Sequence, residues 1–508
     1  MNRKLAPFYK ARNNINFEQE NSFRQSFRIY LIPFGFLVGF LLLFGRLFHL
    51  TVVKGAYYKD AAENNRIREI YVEGKRGTIY DRRNKEIVFA QEIPPKTKGT
   101  APTYSRHYLF DESIAHLIGY RQTASQGDLD SDACGYKLIL NDKIGRSGIE
   151  SLYECHLRPK KGKKLIEVNA GEKYIKTISE IDPQSGKSIK LSLDAELQDY
   201  IYNRIKDNKV VTNPKDISEK HVAVVAMDPH TGELIMLMSY PSFKPQDFED
   251  GNGSAVQTYV KDRDKPLFNR ALLGAYPPGS VFKPIVAAGA LEEKAISPTD
   301  TITDNGFIEA GPIRFRNWLY TKYGRTDGQV DMVKGLQRSN DIYFYRLGEK
   351  LTPEHIRTWA GRFGLGKRSG IALNDLAGTV PSDFWKRETI GERWYLGDTY
   401  NLSIGQGYLL TTPIQIAKAT AVFANGGKLC EPQLLKLDAH ENRLLLDSDK
   451  PECTSLELEE ETLEVVREGM KRACEPLGTG WPFFEFKIHG KPMTVGCKTG
   501  TAESHGVD

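Results

Sequence analysis

The chain has 508 residues, 70 Lys+Arg against 65 Asp+Glu for a net charge of +5, and 10% aromatic residues. At about 100–200 residues per domain that length calls for two to four units rather than one core. The small charge, with no basic stripe interleaved with aromatics, excludes nucleic acid as the expected partner; six cysteines (Cys134, Cys155, Cys430, Cys453, Cys474, Cys497) without a C-x-x-C exclude a zinc ribbon or a disulfide-dense module and leave their pairing open.

From Ile29 to Gly45 no residue is charged, and the apolar character continues to Val53 with Arg46 and His49 as interruptions. This run is long enough to span a bilayer, with the arginine snorkelling to an interface. A buried core helix is the other reading. A cleaved signal peptide fits worse, because a long tail precedes the run and Lys54 spoils a small-residue cleavage pattern. The expected organisation is a cytoplasmic tail over 1–28 and an uncleaved anchor over 29–53. The tail carries Arg3, Lys4, Lys10, Arg12, Arg24 and Arg28, a modest excess over Lys54, Lys59, Arg66 and Arg68 beyond the span. That bias puts the N-terminus inside and the rest of the chain outside.

Residues 56–190 alternate short β-like runs with turn clusters such as Gly74-Lys75-Arg76-Gly77 and Gly145-Arg146-Ser147-Gly148. They hold no catalytic constellation and read as a spacer domain, with Pro94 to Pro102 as a flexible stretch. A different texture, assigned to a second domain over 191–508, begins near Leu191. Ser192-Leu193-Asp194 opens an amphipathic helix. The runs Val222–Met227 and Leu234–Met238, flanking Asp228-Pro229-His230-Thr231-Gly232, predict a buried β-hairpin that supports the helix after it. That helix starts at Tyr276-Pro277-Pro278-Gly279-Ser280-Val281-Phe282-Lys283-Pro284, where prolines and glycine force a turn and Pro284 is tolerated in the first helical turn.

Ser280 and Lys283 are three residues apart and share a helix face, a candidate nucleophile and base. On its own S-x-x-K reads far more readily as a capping serine followed by a solvated lysine, but Ser280 is the one serine here with a lysine at plus three. Two further motifs follow. Ser339-Asn340-Asp341 precedes Ile342-Tyr343-Phe344-Tyr345, the start of a buried helix, and Lys498-Thr499-Gly500-Thr501 follows Met493-Thr494-Val495-Gly496, read as an apolar strand. S-x-x-K, S-x-D and K-T-G in this order form the set expected of active-serine acyl-transfer enzymes that handle penicillins. Lys283 supplies the base, Ser339 relays a proton to the leaving nitrogen and Lys498 holds the field positive for an anionic substrate. A Ser-His-Asp hydrolase is discounted, since no G-x-S-x-G occurs and no histidine lies between Ser280 and Ser339.

With these motifs the chain resembles the class B penicillin-binding proteins, monofunctional D,D-transpeptidases of peptidoglycan synthesis, and among them the elongation type called penicillin-binding protein 2. The resemblance extends through Arg76–Arg82, His116–Tyr120, Gly148-Ile149-Glu150 with Tyr153-Glu154, Met227-Asp228-Pro229, Phe268–Ala271, Gly397-Asp398-Thr399, Ile404–Tyr408 and Thr412–Gln415. It implies an α+β chain: a transmembrane helix, a β-rich elongated pedestal of dimerisation type, and a transpeptidase domain with an antiparallel sheet covered by helices on both faces. It implies that Ser280 is acylated by the penultimate D-alanine of a stem peptide or by β-lactams. Lys283 is then the base, Ser339 and Asp341 the relay, Lys498 and Thr499 the carboxylate contacts beside Gly500, and the N–H groups of Ser280 and Thr501 the oxyanion hole. It further implies the bacterial inner membrane, a periplasmic catalytic domain, no cofactor, and a partner among the membrane glycosyltransferases of the shape, elongation, division and sporulation group.

Some elongation-type relatives bind zinc beside the second motif through Asp, His and Cys; here Asn340 takes the middle position, and no metal is expected. The Asp81-Arg82-Arg83-Asn84-Lys85 turn lacks the usual glycine. Relatives continue past K-T-G with further strands and a helix, whereas this sequence ends at Asp508, so the C-terminal strands and helix are expected to be missing. The competing readings are a non-catalytic or truncated scaffold for the glycosyltransferase, and a serine β-lactamase or D,D-carboxypeptidase.

Overall fold

The computed structural model describes residues 22–95, 101–135, 138–169, 171–207, 221–442, 445 and 452–502. The first 21 residues of the tail and residues 96–100 of the proline-rich stretch lie outside the described residues. Contacts divide the chain into two units, one formed by 22–71 with 163–181 and the other by the rest.

In the first unit the helix Ser22–Phe48 runs into a π-helical turn, His49–Val53, and then the helix Gly55–Arg66. The 24 residues Tyr30–Val53 have a mean hydropathy of 2.1 and bury nothing, as a helix clad by lipid requires. Among the described residues it is the one helix long and apolar enough to cross a bilayer, and it anchors the chain in a membrane. A three-stranded sheet completes the unit, with Gly162–Val168 between Ile67–Val72 and Tyr174–Ile181.

The second unit opens on a four-stranded sheet ordered Thr103–Tyr108, Glu86–Ile93, Ile79–Tyr80, Ile189–Lys190. The turn without glycine closes because Asn84 takes the left-handed conformation (φ 67°) that asparagine tolerates. Asp81 Oδ1 accepts from the N–H groups of Arg83 and Lys85 at 2.8 Å each, which fixes the turn from its start. Ile79, Ile87, Val88 and Leu117 from this part share one core with Leu234, Leu237, Leu272 and Ile414 from the catalytic half. Disulfides join Cys134 to Cys155 and Cys430 to Cys453.

The predicted hairpin forms, with Val222–Met227 antiparallel to Leu234–Tyr240. One face, through Val222, Val224, Met236 and Met238, packs on Tyr202 and Ile205 of the helix Ala195–Lys206, which Asp194 caps by accepting from Leu197 N–H at 3.1 Å. The other face, through Ala223, Val225 and Leu237, meets Ala271, Leu272 and Ile414. Helices therefore cover both faces, as expected of this α+β fold.

The support of the helix that follows Ser280 differs from the expectation. Lys283–Glu292 is enclosed by Met332–Arg338, Asp341–Leu351, Pro353–Arg362 and Glu460–Ala473, and the helix Pro413–Ala424 stands between it and the hairpin. The reason lies in its composition: every residue from Lys283 to Leu291 is buried, so the helix needs apolar neighbours all round, which a sheet on one side cannot supply.

Candidate active site

Ser280 sits in a single 3₁₀ turn, Gly279–Phe282, that feeds the helix Lys283–Glu292, with Pro284 in the first turn as its missing N–H demands. Gly279 adopts φ +57°, and its N–H donates to Gly405 O at 2.8 Å. The turn is gripped from two sides. A Cβ placed on Gly279 would lie 2.6 Å from Thr501 O, and one placed on Gly405 would lie 2.1 Å from Gly279 O. Gln406 Nε2 completes the clamp by donating to Thr501 O at 2.9 Å.

Lys283 is wholly buried and turned toward the second motif. Its Nζ donates to Asp341 Oδ1 (2.6 Å), to Ser339 O (2.8 Å) and to Ser339 Oγ (3.4 Å). Burial lowers its pKa from the ordinary lysine value, and the Asp341 carboxylate opposes that shift in part. Ser339 occupies a tight reversal between two helices: it ends Met332–Arg338 in the left-handed conformation (φ 52°), while Asn340 caps Asp341–Leu351 by accepting from Tyr343 N–H at 2.9 Å. That reversal projects the Ser339 hydroxyl between two lysines. Lys498 Nζ donates to it at 2.8 Å from the opposite side and to Thr499 O at 2.9 Å. Burial and the positive charge that Lys283 carries when protonated hold Lys498 well below the usual lysine range, against the opposing Asp341 carboxylate.

The structure thus joins Lys283, Ser339, Asp341 and Lys498 in one hydrogen-bonded chain and sets Thr501 against the Ser280 turn. Thr499 points elsewhere, donating to Thr479 Oγ1 at 2.7 Å. Gly500 lies over the Ser280 turn, where an added Cβ would be 3.0 Å from Val281 Cγ1. The strand expected at Met493–Val495 does not form. The short hairpin Lys487–Ile488 with Lys491–Pro492 ends just before it, Met493 N–H donating to Phe486 O at 3.0 Å, and the segment is then tied to the helix Glu460–Ala473, with Cys497 N–H donating to Met470 O at 2.9 Å and Cys497 bonded to Cys474.

Several positioning groups were not assigned a role from the sequence. Asp304, buried, accepts from Asn317 Nδ2 and Asn340 Nδ2 at 2.8 Å each and from Asp327 N–H at 3.0 Å, so one carboxylate pins the second motif. Asn317 Oδ1 accepts from Asp341 N–H, and Asp341 Oδ2 accepts from Trp318 N–H, both at 3.3 Å. Among the described residues no group of three or more His, Cys, Asp or Glu is placed to hold a metal. The G-Q-G run at Gly405–Gly407 carried the one usable signal, since paired glycines mark close backbone approach. Gly405→Ala is expected to lower the melting temperature by the equivalent of ~1–3 kcal/mol and to slow acylation of Ser280, because the added methyl meets Gly279 O at a position of positive φ. Differential scanning fluorimetry alongside penicillin labelling checks both effects.

Two family descriptions match the chain: the penicillin binding protein transpeptidase domain over residues 222–508 and the penicillin-binding protein dimerisation domain over 96–191. The peptidoglycan D,D-transpeptidase MrdA of Escherichia coli K12 is 28% identical, covering 92% of this chain and 83% of its own length. MrdA of Haemophilus influenzae is 33% identical, covering 78% and 60%. The crystal structure of Pseudomonas aeruginosa PBP2 in complex with WCK 5153 superposes with a TM-score of 0.64 at 31% identity, covering 80% of each chain. With the motifs, the fold and more than half of the length matched, the chain belongs to the penicillin-binding protein transpeptidase family.

Proposed function

We propose that the protein is a peptidoglycan D,D-transpeptidase of the elongation type that works through a Ser280 acyl-enzyme. The observation that carries this reading is the chain Asp341–Lys283–Ser339–Lys498 laid beside the Ser280 turn. Ser280 Oγ attacks the carbonyl of the penultimate D-alanine, and its proton passes to Lys283, whose burial favours the neutral amine. The oxyanion meets the N–H groups of Ser280 and Thr501, which the clamp at Gly279 holds together. Ser339, bonded to both lysines, hands a proton to the departing nitrogen, and terminal D-alanine leaves. An amine of a second stem peptide then attacks the ester, returns the proton along the same path and closes the cross-link. Lys498 attracts the substrate carboxylate, and Thr499 joins it only when its hydroxyl turns away from Thr479; penicillins enter by the same attack.

The assignment puts residues 191–508 in the catalytic role, 56–190 in the pedestal, and the catalytic domain in the periplasm. Pairing of all six cysteines supports that location, because disulfides persist in oxidising compartments. The anchor places the protein where a membrane glycosyltransferase of the shape, elongation, division and sporulation group is its partner.

Labelling of the full chain with a fluorescent penicillin, followed by peptide mapping, tests the reading. A stable adduct on Ser280 that Ser280→Ala abolishes is the expected result. Absence of any adduct on folded protein overturns it, and rapid turnover without an adduct points to a β-lactamase.

A further inference from the structure

Lys498 is held by a covalent bond one residue away. Cys497 is joined to Cys474, which caps the C-terminus of the helix Glu460–Ala473. The loop after that helix folds over the bond: Gly480 N–H donates to Ala473 O at 2.7 Å, and a Cβ on Gly480 would lie 2.4 Å from Cys497 Sγ. One residue earlier, Thr479 receives the Thr499 hydroxyl. The helix is itself fixed to the partner side of the site. Leu463, Val466 and Met470 belong to the core around the Lys283 helix, and Gly469 packs so closely on Leu336 that a Cβ there would be 2.6 Å away. Leu336 lies on the Met332–Arg338 helix that ends at Ser339. A continuous path therefore runs from Lys498 through Cys497–Cys474 and two packed helices to Ser339, and its ends meet at 2.8 Å.

We propose that the Cys474–Cys497 disulfide is the positioning element for Lys498, so that acylation of Ser280 depends on the redox state of this bond. The proposal rests on the transpeptidase reading above. Opening the bond removes the covalent tie beside Lys498 and leaves hydrogen bonds alone to hold the segment: Cys497 N–H to Met470 O, Thr499 to Thr479, Gln406 to Thr501 O, and that of Lys498 itself to Ser339. Loss of about 1 Å of positioning costs on the order of 10²-fold in rate when a group must sit at a reacting centre. A dithiol opens the bond in two exchanges: two electrons and two protons pass to the cysteine sulfurs, and the dithiol closes to a cyclic disulfide.

The test measures the acylation rate of the detergent-solubilised full chain by fluorescent penicillin across pH. It compares oxidised, reduced and re-oxidised protein with the double variants C474S/C497S, C134S/C155S and C430S/C453S. Thiol alkylation and peptide mapping report which bonds are open, and thermal unfolding reports the fold. Opening Cys474–Cys497 is expected to slow acylation at least ~10-fold and to shift its pH profile, because a loosened Lys498 regains water and titrates higher. Re-oxidation restores the wild-type rate and profile but leaves C474S/C497S unchanged, and the other two variants stay within about twofold of wild type. Should C474S/C497S fail to fold, the reduced and re-oxidised wild-type chain decides. An unchanged rate and pH profile with the bond open overturns the proposal alone. Failure of the oxidised chain to be acylated overturns the transpeptidase reading and the proposal with it.

Discussion

Lys283→Ala is expected to slow acylation of Ser280 by ~10²–10⁴-fold, the range by which a positioned general base contributes to a rate. The truncation removes a wholly buried side chain that bridges Ser339 and Asp341, and leaves the Asp341 carboxylate without its 2.6 Å partner. Lys283→Arg separates two roles of the residue. A guanidinium keeps the pairing with Asp341 but stays protonated at any working pH, so it preserves the fold and not the base. Lys283→Arg is therefore expected to unfold near the wild-type temperature while acylating as slowly as the alanine variant. Stopped-flow or gel-based labelling checks the rate, and substantial acylation by the arginine variant would show that Lys283 acts as a fixed cation and that the base lies elsewhere.

Glu150→Ala is expected to cost about 3–5 kcal/mol of stability, because it strands buried charge in the part of the second unit that precedes the catalytic half. Glu150 is fully buried. Its Oε1 accepts from Arg106 Nε at 2.7 Å and its Oε2 from Arg76 Nε at 2.8 Å, and both arginines are themselves buried. Arg106 also donates to Gly77 O at 2.7 Å, tying the cluster to the Arg76–Arg82 segment. Burial alone would raise the Glu150 carboxyl, but Arg106, Arg76 and Arg121 override it and bring the pKa down to about 2. The sign for linkage follows. The folded pKa lies below the unfolded one, so the contribution is complete above the ordinary glutamate range and is lost as pH falls from there toward 2. Urea unfolding of wild type and variant should converge as the pH is lowered through that window. A variant within about 1 kcal/mol of wild type at neutral pH would mean that water reaches and solvates the two arginines.

Most of what is local in the sequence reappears in the structure, the strand expected at Met493–Val495 excepted. The anchor is a property of composition over one uninterrupted run, the hairpin at Val222–Tyr240 follows from two apolar runs around a Pro/Gly turn, and the helix starts at Asp194, Ser280 and Asn340 follow from capping and proline chemistry. The order of S-x-x-K, S-x-D and K-T-G was sufficient to name four side chains that the fold brings into one hydrogen-bonded chain. Groups that act across long separations were not legible. Asp304 pins a motif 36 residues later with nothing in its neighbours to mark it, and Gly405 and Gln406 clamp a turn more than a hundred residues earlier, where the paired glycines signal a close backbone approach but not its partner.

The amino-acid sequence by itself determined the anchor and the family and named Ser280 and Lys283 as candidate nucleophile and base, since each rests on residue types at short, fixed spacings. Only the tertiary structure decided that Lys283 is paired with Asp341, that helices rather than the hairpin enclose the nucleophile helix, and that the Lys498 segment is fastened through Cys474 instead of a strand. These are choices among many partners that the sequence allows equally. Packing makes them, because an apolar helix must be covered on every side and a buried charge must find the one counter-charge within reach.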